Sequence, residues 1–590
     1  MIYRTFSLRL LCLFVADRIT PFRINPPVIR LFIHGFFILT ILVTTGCGKS
    51  STPPATAPQP STINSDESRA GHQPSTTTAP SFRLHWLGKK RLAAESNATN
   101  FISIWNMPES LRLESQTLDK LSTAPWRLLT TATPLSNAPT ALLRPLLDDL
   151  VQEESYLEIS ATTNHPAEIV LAIKLPPERA ALWRSNLPII LKSVFADVVE
   201  SKTLTADTFS ANFRLQTSDF RLNVTRAGDW TLLSIHPSKN PSINNQLSTI
   251  NIASRLSTTG LPFAPETTNF WISGRADLSA LSHIVGWSIR SNINLPVCEF
   301  SAIGDGTNVR SLAKLIFPSK APIELEPWNI PTNLVHDPLT GFMSVRGIRP
   351  FLKMCGLWDE SKFGDTPNQA TFWSQSGHPA LRFFALPSQQ SSNQMALFTR
   401  FLLEDVNPIM AVFPNTTSVP IGSFEPILGS PRLRWRGIPY IMPNLDVTTD
   451  SNAFIVGGFF QNRITNSPPP DSLMTQFKTD SNIILYDWEA SQATTYALIQ
   501  VSQATRFVFG LNRLSMTNNP ALPWIVAISH KLGTSGTTIR LSSPTSVSFT
   551  RSSTIGLTGL EIHLLAEWLE SPSFPKGMFS VESNQTNKAN

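Results

Sequence analysis

A few short patterns in the chain hold residue types able to do chemistry. Ser311-Leu-Ala-Lys314 places a hydroxyl three residues ahead of an amine, and Ser391-Ser-Asn393 and Lys531-Leu-Gly533 follow it in order. A serine with a nearby lysine can act as a nucleophile with its own base, provided both side chains reach the same point. Cys47, Cys298 and Cys355 are the thiols available beyond the first few turns of chain. None belongs to a Cys-x-x-Cys, so zinc ribbons and dithiol redox motifs are not indicated. The histidines of the body, His85, His165, His236, His283, His336, His378, His530 and His563, stand far apart and form no pair at ligand spacing. The chain also lacks Gly-x-Ser-x-Gly, the P-loop and Gly-x-Gly-x-x-Gly. No metal or cofactor is therefore expected.

The order of the three serine and lysine patterns resembles the motifs of penicillin-recognising serine enzymes, which implies an envelope hydrolase with Ser311 as nucleophile and Lys314 as base. The chain departs from that pattern in two places. Leu532 stands where Thr or Ser is usual, and Pro318 follows Lys314 too soon for the long helix such a serine opens. A second Ser-x-x-Lys, Ser573 to Lys576, occurs in the same chain. The hydrolase is accordingly the alternative, and a non-enzymatic role is the primary expectation.

The front of the chain is more informative. Leu31 to Thr45 carries no charge, follows five arginines and runs into Gly46-Cys47. At 1.5 Å per residue it makes about 22 Å of helix, short of the ~30 Å hydrocarbon core, as an export signal is. Val43-Thr44-Thr45-Gly46-Cys47 resembles the lipobox of bacterial lipoproteins. That resemblance implies a diacylglyceryl group on the Cys47 sulfur, cleavage just before it, and a lipid-anchored protein of the cell envelope. Residues 48–80 are rich in Ser, Thr and Pro and hold one large apolar residue, Ile63. Such a segment buries too little surface to repay its ordering, so it reads as a tether.

The whole chain has 590 residues, 41% apolar and 15% charged, with a formal charge of +6. Arg4, Arg9, Arg18, Arg23 and Arg30 against Asp17 put four of those charges in the leader. The body is close to neutral with scattered cations, which argues against nucleic acid as a partner. The expected partners are the membrane, through Cys47, and an unidentified envelope protein or glycan. The 14 tryptophans sit mostly in apolar surroundings, where core packing explains them better than a sugar-stacking platform.

These residues must be positioned by elements of both kinds. Glu168 to Leu175 suits a strand, Pro176-Pro177 opens a helix, and Phe213 to Ile235 alternates like an antiparallel meander. Thr558-Gly-Leu-Glu561 has capping-box spacing, with Leu560, Leu564, Leu565, Trp568 and Leu569 read as one apolar face. Four segments, from Phe101, Asn269, Gly341 and Asn482, look like a strand running into a helix, and corresponding ones start 240 and 213 residues apart. The expected fold is α+β, built as two mixed modules of antiparallel strands with packed helices, for which the paired segment spacings leave a tandem duplication open. Residues 81–317 form the first module, the proline-rich 318–338 a connection, and 339–590 the second. Cys298 and Cys355, one in each module, are a possible disulfide.

Overall fold

The structure is a computed structural model. It describes residues 80–575 apart from 130–133, 163–164, 196–197, 206–207, 216–217, 238–269, 286–294, 356–357, 377–382, 409–421, 429–431, 438–443, 449–452, 459–466, 509–518 and 572–573. The leader, Cys47 and the segment 48–79 lie outside the described residues.

The first part of the body runs β1 (Phe82–Trp86), α1 (Lys89–Leu92), α2 (Thr99–Trp105), α3 (Pro108–Leu128), α4 (Thr140–Gln152), β2 (Ser155–Thr162), β3 (His165–Lys174) and α5 (Pro177–Val194). It continues with β4 (Val198–Thr205), β5 (Thr208–Leu215), β6 (Ser218–Ala227), β7 (Trp230–Pro237), β8 (Ile272–Asp277), α6 (Leu278–Val285), β9 (Val297–Gly304) and β10 (Val309–Ile316). The second part runs β11 (Leu339–Arg346), α7 (Arg349–Cys355), α8 (Glu360–Phe363), β12 (Gln369–Gln375), β13 (Phe383–Pro387), α9 (Ser391–Phe401), β14 (Gly422–Pro426), β15 (Leu433–Gly437), β16 (Asn444–Val447) and β17 (Phe454–Gly458). Then come α10 (Asp471–Thr479), β18 (Ile483–Ala490), α11 (Ser491–Val508), α12 (Ala521–Ser529), β19 (Thr534–Ser543), β20 (Ser546–Ser553) and α13 (Gly559–Leu569).

Among the described residues all 20 strands belong to one sheet, and every pairing is antiparallel. From one edge inward the order is β4, β5, β6, β7, β3, β2, β1, β8, β9, β10. From the other edge it is β14, β15, β16, β17, β13, β12, β11, β18, β19, β20. The two series meet where β10 lies beside β20, from Val309 opposite Ser553 to Ile316 opposite Ser546. This corrects the expectation of two separate modules. The backbone groups along the free side of β10 find their partners in β20, more than two hundred residues later in the chain, and the sheet never breaks.

The proline-rich segment 318–338 is also more than a connection. Its start packs Ala321 with Leu315, Ile539 and Val547 on one face of the sheet. Its end packs Trp328, Ile330, Leu334 and the fully buried Val335 with Phe342 and Trp373. These contacts lie on opposite faces, because Ile539 and Thr538 alternate and Thr538 pairs with Tyr486 of the second cluster. The strap turns the corner at Arg346. This buried side chain donates to the carbonyls of Glu326, Ser481 and Ile483 and lies 4.5 Å from the Trp328 ring.

Several local readings hold. β3, α5 opening on Pro177, the meander β5–β6–β7 and the Thr558–Glu561 capping box are all present. Two are corrected. The segment from Phe101 is helical throughout, as α2 and α3 broken at Met107-Pro108, because Phe101 and Trp105 are spaced for one helix face. On α13 the buried stripe is Ile562, Leu565, Ala566, Trp568 and Leu569. Leu560 is 40% exposed, in line with Leu564 and Glu567 on the outer side.

Two of the cores hold α1–α5, α12 and α13. One lies between the sheet and α1–α5, where Phe101 meets Trp271 at 4.8 Å beside Trp86 and Trp183. The other joins the two parts of the chain: Ile104 and Leu113 pack with Trp524, Ile528, Leu565, Trp568 and Phe574. Lys120 caps the end of α13 through the Leu569 carbonyl at 2.7 Å, and Arg127 donates to the Phe574 carbonyl at 2.9 Å.

Candidate functional site

Strand alternation decides what Ser311 and Lys314 can do. Both lie on β10, where residues three apart point to opposite faces. Ser311 sits with buried Val309 and half-buried Ala313, while Lys314 sits with exposed Arg310 and Leu312. A proton cannot pass directly between groups on opposite sides of a sheet. Ser391 and Asn393 stand in the first turn of α9, and Lys531 follows α12 in the turn before β19. Leu532 is buried, which explains an apolar residue where the enzyme pattern wants a hydroxyl.

Of the cysteine pair, Cys298 carries a free thiol on β9, half-buried, and burial followed by the neighbouring Glu299 charge raises its pKa. That is the reverse of an activated nucleophile. Cys355 ends α7, and its side chain lies outside the described residues.

A set of ionisable groups around a buried carboxylate is one the sequence did not point to. It forms where β1 and β3 end, β2 begins and α1 lies alongside. His85 Nε2 lies 3.1 Å from Glu154 Oε1, with both residues buried. Arg91 Nη1 donates to Glu154 Oε2 at 3.0 Å, and Lys174 Nζ approaches it at 3.9 Å. Burial alone would raise the Glu154 carboxyl, but the His85 hydrogen bond and the charges of His85, Arg91 and Lys174 outweigh it and hold it below the ordinary carboxylate value. Two strand positions away, Tyr156 donates to Glu158 Oε2 at 2.6 Å, with Arg83 3.6 Å from the same oxygen.

The Glu154 carboxylate is ionised with both oxygens engaged, so it is poorly placed to take a substrate proton. His85, Arg91 and Lys174 around it gather three strand ends and α1, a fastening role. His85 and Glu154 are 69 residues apart, so no local spacing could have paired them. The alternation of Arg83 and His85 with Phe82, Leu84 and Trp86 was the only trace, placing them on the face away from the helices.

Between α2, α3, α12 and α13 lies a half-open pocket lined by Trp105, Ser110, Leu113, Glu114, Trp524, Leu565 and Leu569, with about 20 Å³ of room for water-sized groups. That holds about one water and is far below the several hundred Å³ of a substrate site. Glu114 there is already paired with Lys89 at 2.8 Å. Among the described residues no three His, Cys, Asp or Glu side chains converge to hold a metal ion. No described helix is long and apolar enough to cross a membrane. Comparison of the chain with protein-family models, with curated proteins and with solved structures finds no match in any of the three.

Proposed function

We propose that this chain is an exported lipoprotein, held to a bacterial membrane by lipid on Cys47, with a body that serves a non-enzymatic binding or structural role in the cell envelope. The observation that carries the reading is the run from Leu31 to Cys47: a short uncharged stretch behind arginines, ending in Val-Thr-Thr-Gly-Cys. The Ser/Thr/Pro-rich composition of residues 48–80 supports it, since an anchored body needs a spacer from the lipid. The geometry of the body supports the non-enzymatic part. Ser311 and Lys314 face apart, and both oxygens of the buried Glu154 carboxylate are already engaged, by His85 and Arg91.

The test is fatty-acid labelling with membrane fractionation. The native chain should take up label and stay with the membrane, because two or more acyl chains anchor stably where one is marginal. Cys47→Ser should take up none and appear in a soluble or unprocessed form. A Cys47→Ser protein that remains membrane-bound at the processed size would sink the reading.

A further inference from the structure

The sheet ends, on the side of the second ten strands, in the hairpin of β14 and β15. Among the described residues β14 pairs with β15 alone. One face of the hairpin is packed: Phe424 meets Trp435 at 4.9 Å, and Leu433 is buried against the α9 core. The other carries Arg434 and Arg436, with Arg432 just ahead of the strand, their side chains 62%, 77% and 63% exposed. Arg432 pairs with Asp446 at 2.7 Å, and Arg434 and Arg436 lie 3.9 and 3.7 Å from Glu425, so three guanidinium groups face two carboxylates that are each only 34% exposed and the patch keeps a net positive charge. Leu428, two residues past the end of β14, is 102% exposed, against 51% for Ile189, the next most exposed large apolar side chain described.

A bare leucine at a turn beside a row of arginines matches a particular surface. Headgroup phosphates pair with guanidinium in a planar, two-pronged way, and the layer just below accepts an apolar side chain. We propose that the β14–β15 hairpin rests on an anionic lipid bilayer, with Leu428 in the headgroup region and Arg432, Arg434 and Arg436 facing lipid phosphates. The inference rests on the proposed anchoring at Cys47. A chain of the length and composition of residues 48–80 spans on the order of 30 Å, which keeps the body near the bilayer and makes a weak contact effective. A second copy of the chain fits less well, because a two-fold contact on this face would set like arginine rows together.

The test uses the full acylated protein in vesicles of phosphatidylcholine with phosphatidylglycerol. Leu428→Cys, in a Cys298→Ser, Cys355→Ser background, carries an environment-sensitive fluorophore, and Asp229→Cys in the β6–β7 turn is the control. The label at 428 should shift to the blue and be shielded about threefold from an aqueous quencher, as a shallow interfacial position is. The label at 229 should do neither. Arg434→Glu with Arg436→Glu, or vesicles of phosphatidylcholine alone, should abolish the shielding. Equal quenching of 428 in vesicles and in detergent solution overturns the proposal, as does shielding that survives the arginine changes. Concentration-dependent shielding in detergent without vesicles would assign the face to a second copy and overturn it too. Flotation of the protein with the vesicles reads the Cys47 anchor separately, so the two failures are distinguishable.

Discussion

The first ten strands and the last ten take corresponding places in the sheet, yet they are covered by different means. Between β1 and β2 the chain builds four helices, from Lys89 to Gln152, and these with α5 bury one face under Trp86, Phe101, Trp105 and Trp183. Between β11 and β12 the described residues form α7 and α8. There the strap 318–338, with α10, covers the face bearing Phe342 and Trp373. The ionic fastening differs as well. In the first set, His85, Arg91 and Lys174 gather around Glu154; in the second, Arg346 is satisfied by backbone carbonyls and the Trp328 ring. One strand order thus accepts two covers, because a sheet face needs apolar area and satisfied polar ends rather than a particular element. The surplus helices are shared: α3 packs on α12 and α13 and so ties the sets together away from the strands.

The largest effect should come from breaking that shared core. Trp568→Ala should cost about 3–5 kcal/mol in chemical denaturation, from lost burial and the cavity left against Phe574. It should weaken both strand sets together, which a residue private to one set would not do. Next, Arg346→Met should cost about 2–3 kcal/mol, because three carbonyls lose a charged donor. Limited proteolysis should then open the strap at 318–338 while the α1–α5 side stays resistant.

Glu154→Gln sharpens the same contrast by pH. The Glu154 carboxyl lies below the ordinary value of 4.5 in the folded protein, so its contribution is fully present above that value and is lost as the pH falls through the folded pKa. The variant should be about 1–2 kcal/mol less stable at neutral pH and should show a flatter acid limb. An acid limb identical to that of the native chain would remove Glu154 from the account. Smallest of all, Ser311→Ala should change stability by no more than about 0.5 kcal/mol and leave any envelope phenotype intact.

What the sequence disclosed was local. Pro177 at the start of α5, Gly228 at φ +61° in the β6–β7 turn and the Thr558–Glu561 box each act within a few residues. The pairing of Leu312 with Thr550 is not local, and no spacing encodes it. The same limit hid the Glu154 cluster, whose members are scattered from His85 to Lys174. Ser311 and Lys314 mislead for the converse reason: a three-residue spacing brings side chains together on a helix and separates them on a strand. Leu312, exposed amid Arg310 and Lys314, blurred the alternation that would have identified β10 as a strand. The proline count of 318–338 suggested a bare connection, whereas Ala321 and Val335 within it are buried.

The central claim is that β10 and β20 close the strands into one sheet. Hydrogen exchange read by mass spectrometry tests it at residues 309–316 and 546–553. Interior strands exchange only on global opening, whereas free edges exchange through local fraying. The account predicts that both peptides are protected as strongly as β3 and β12, and that they lose protection together in rising denaturant. Fast exchange of both, with β3 and β12 still protected, would mean two separate sheets and would contradict it.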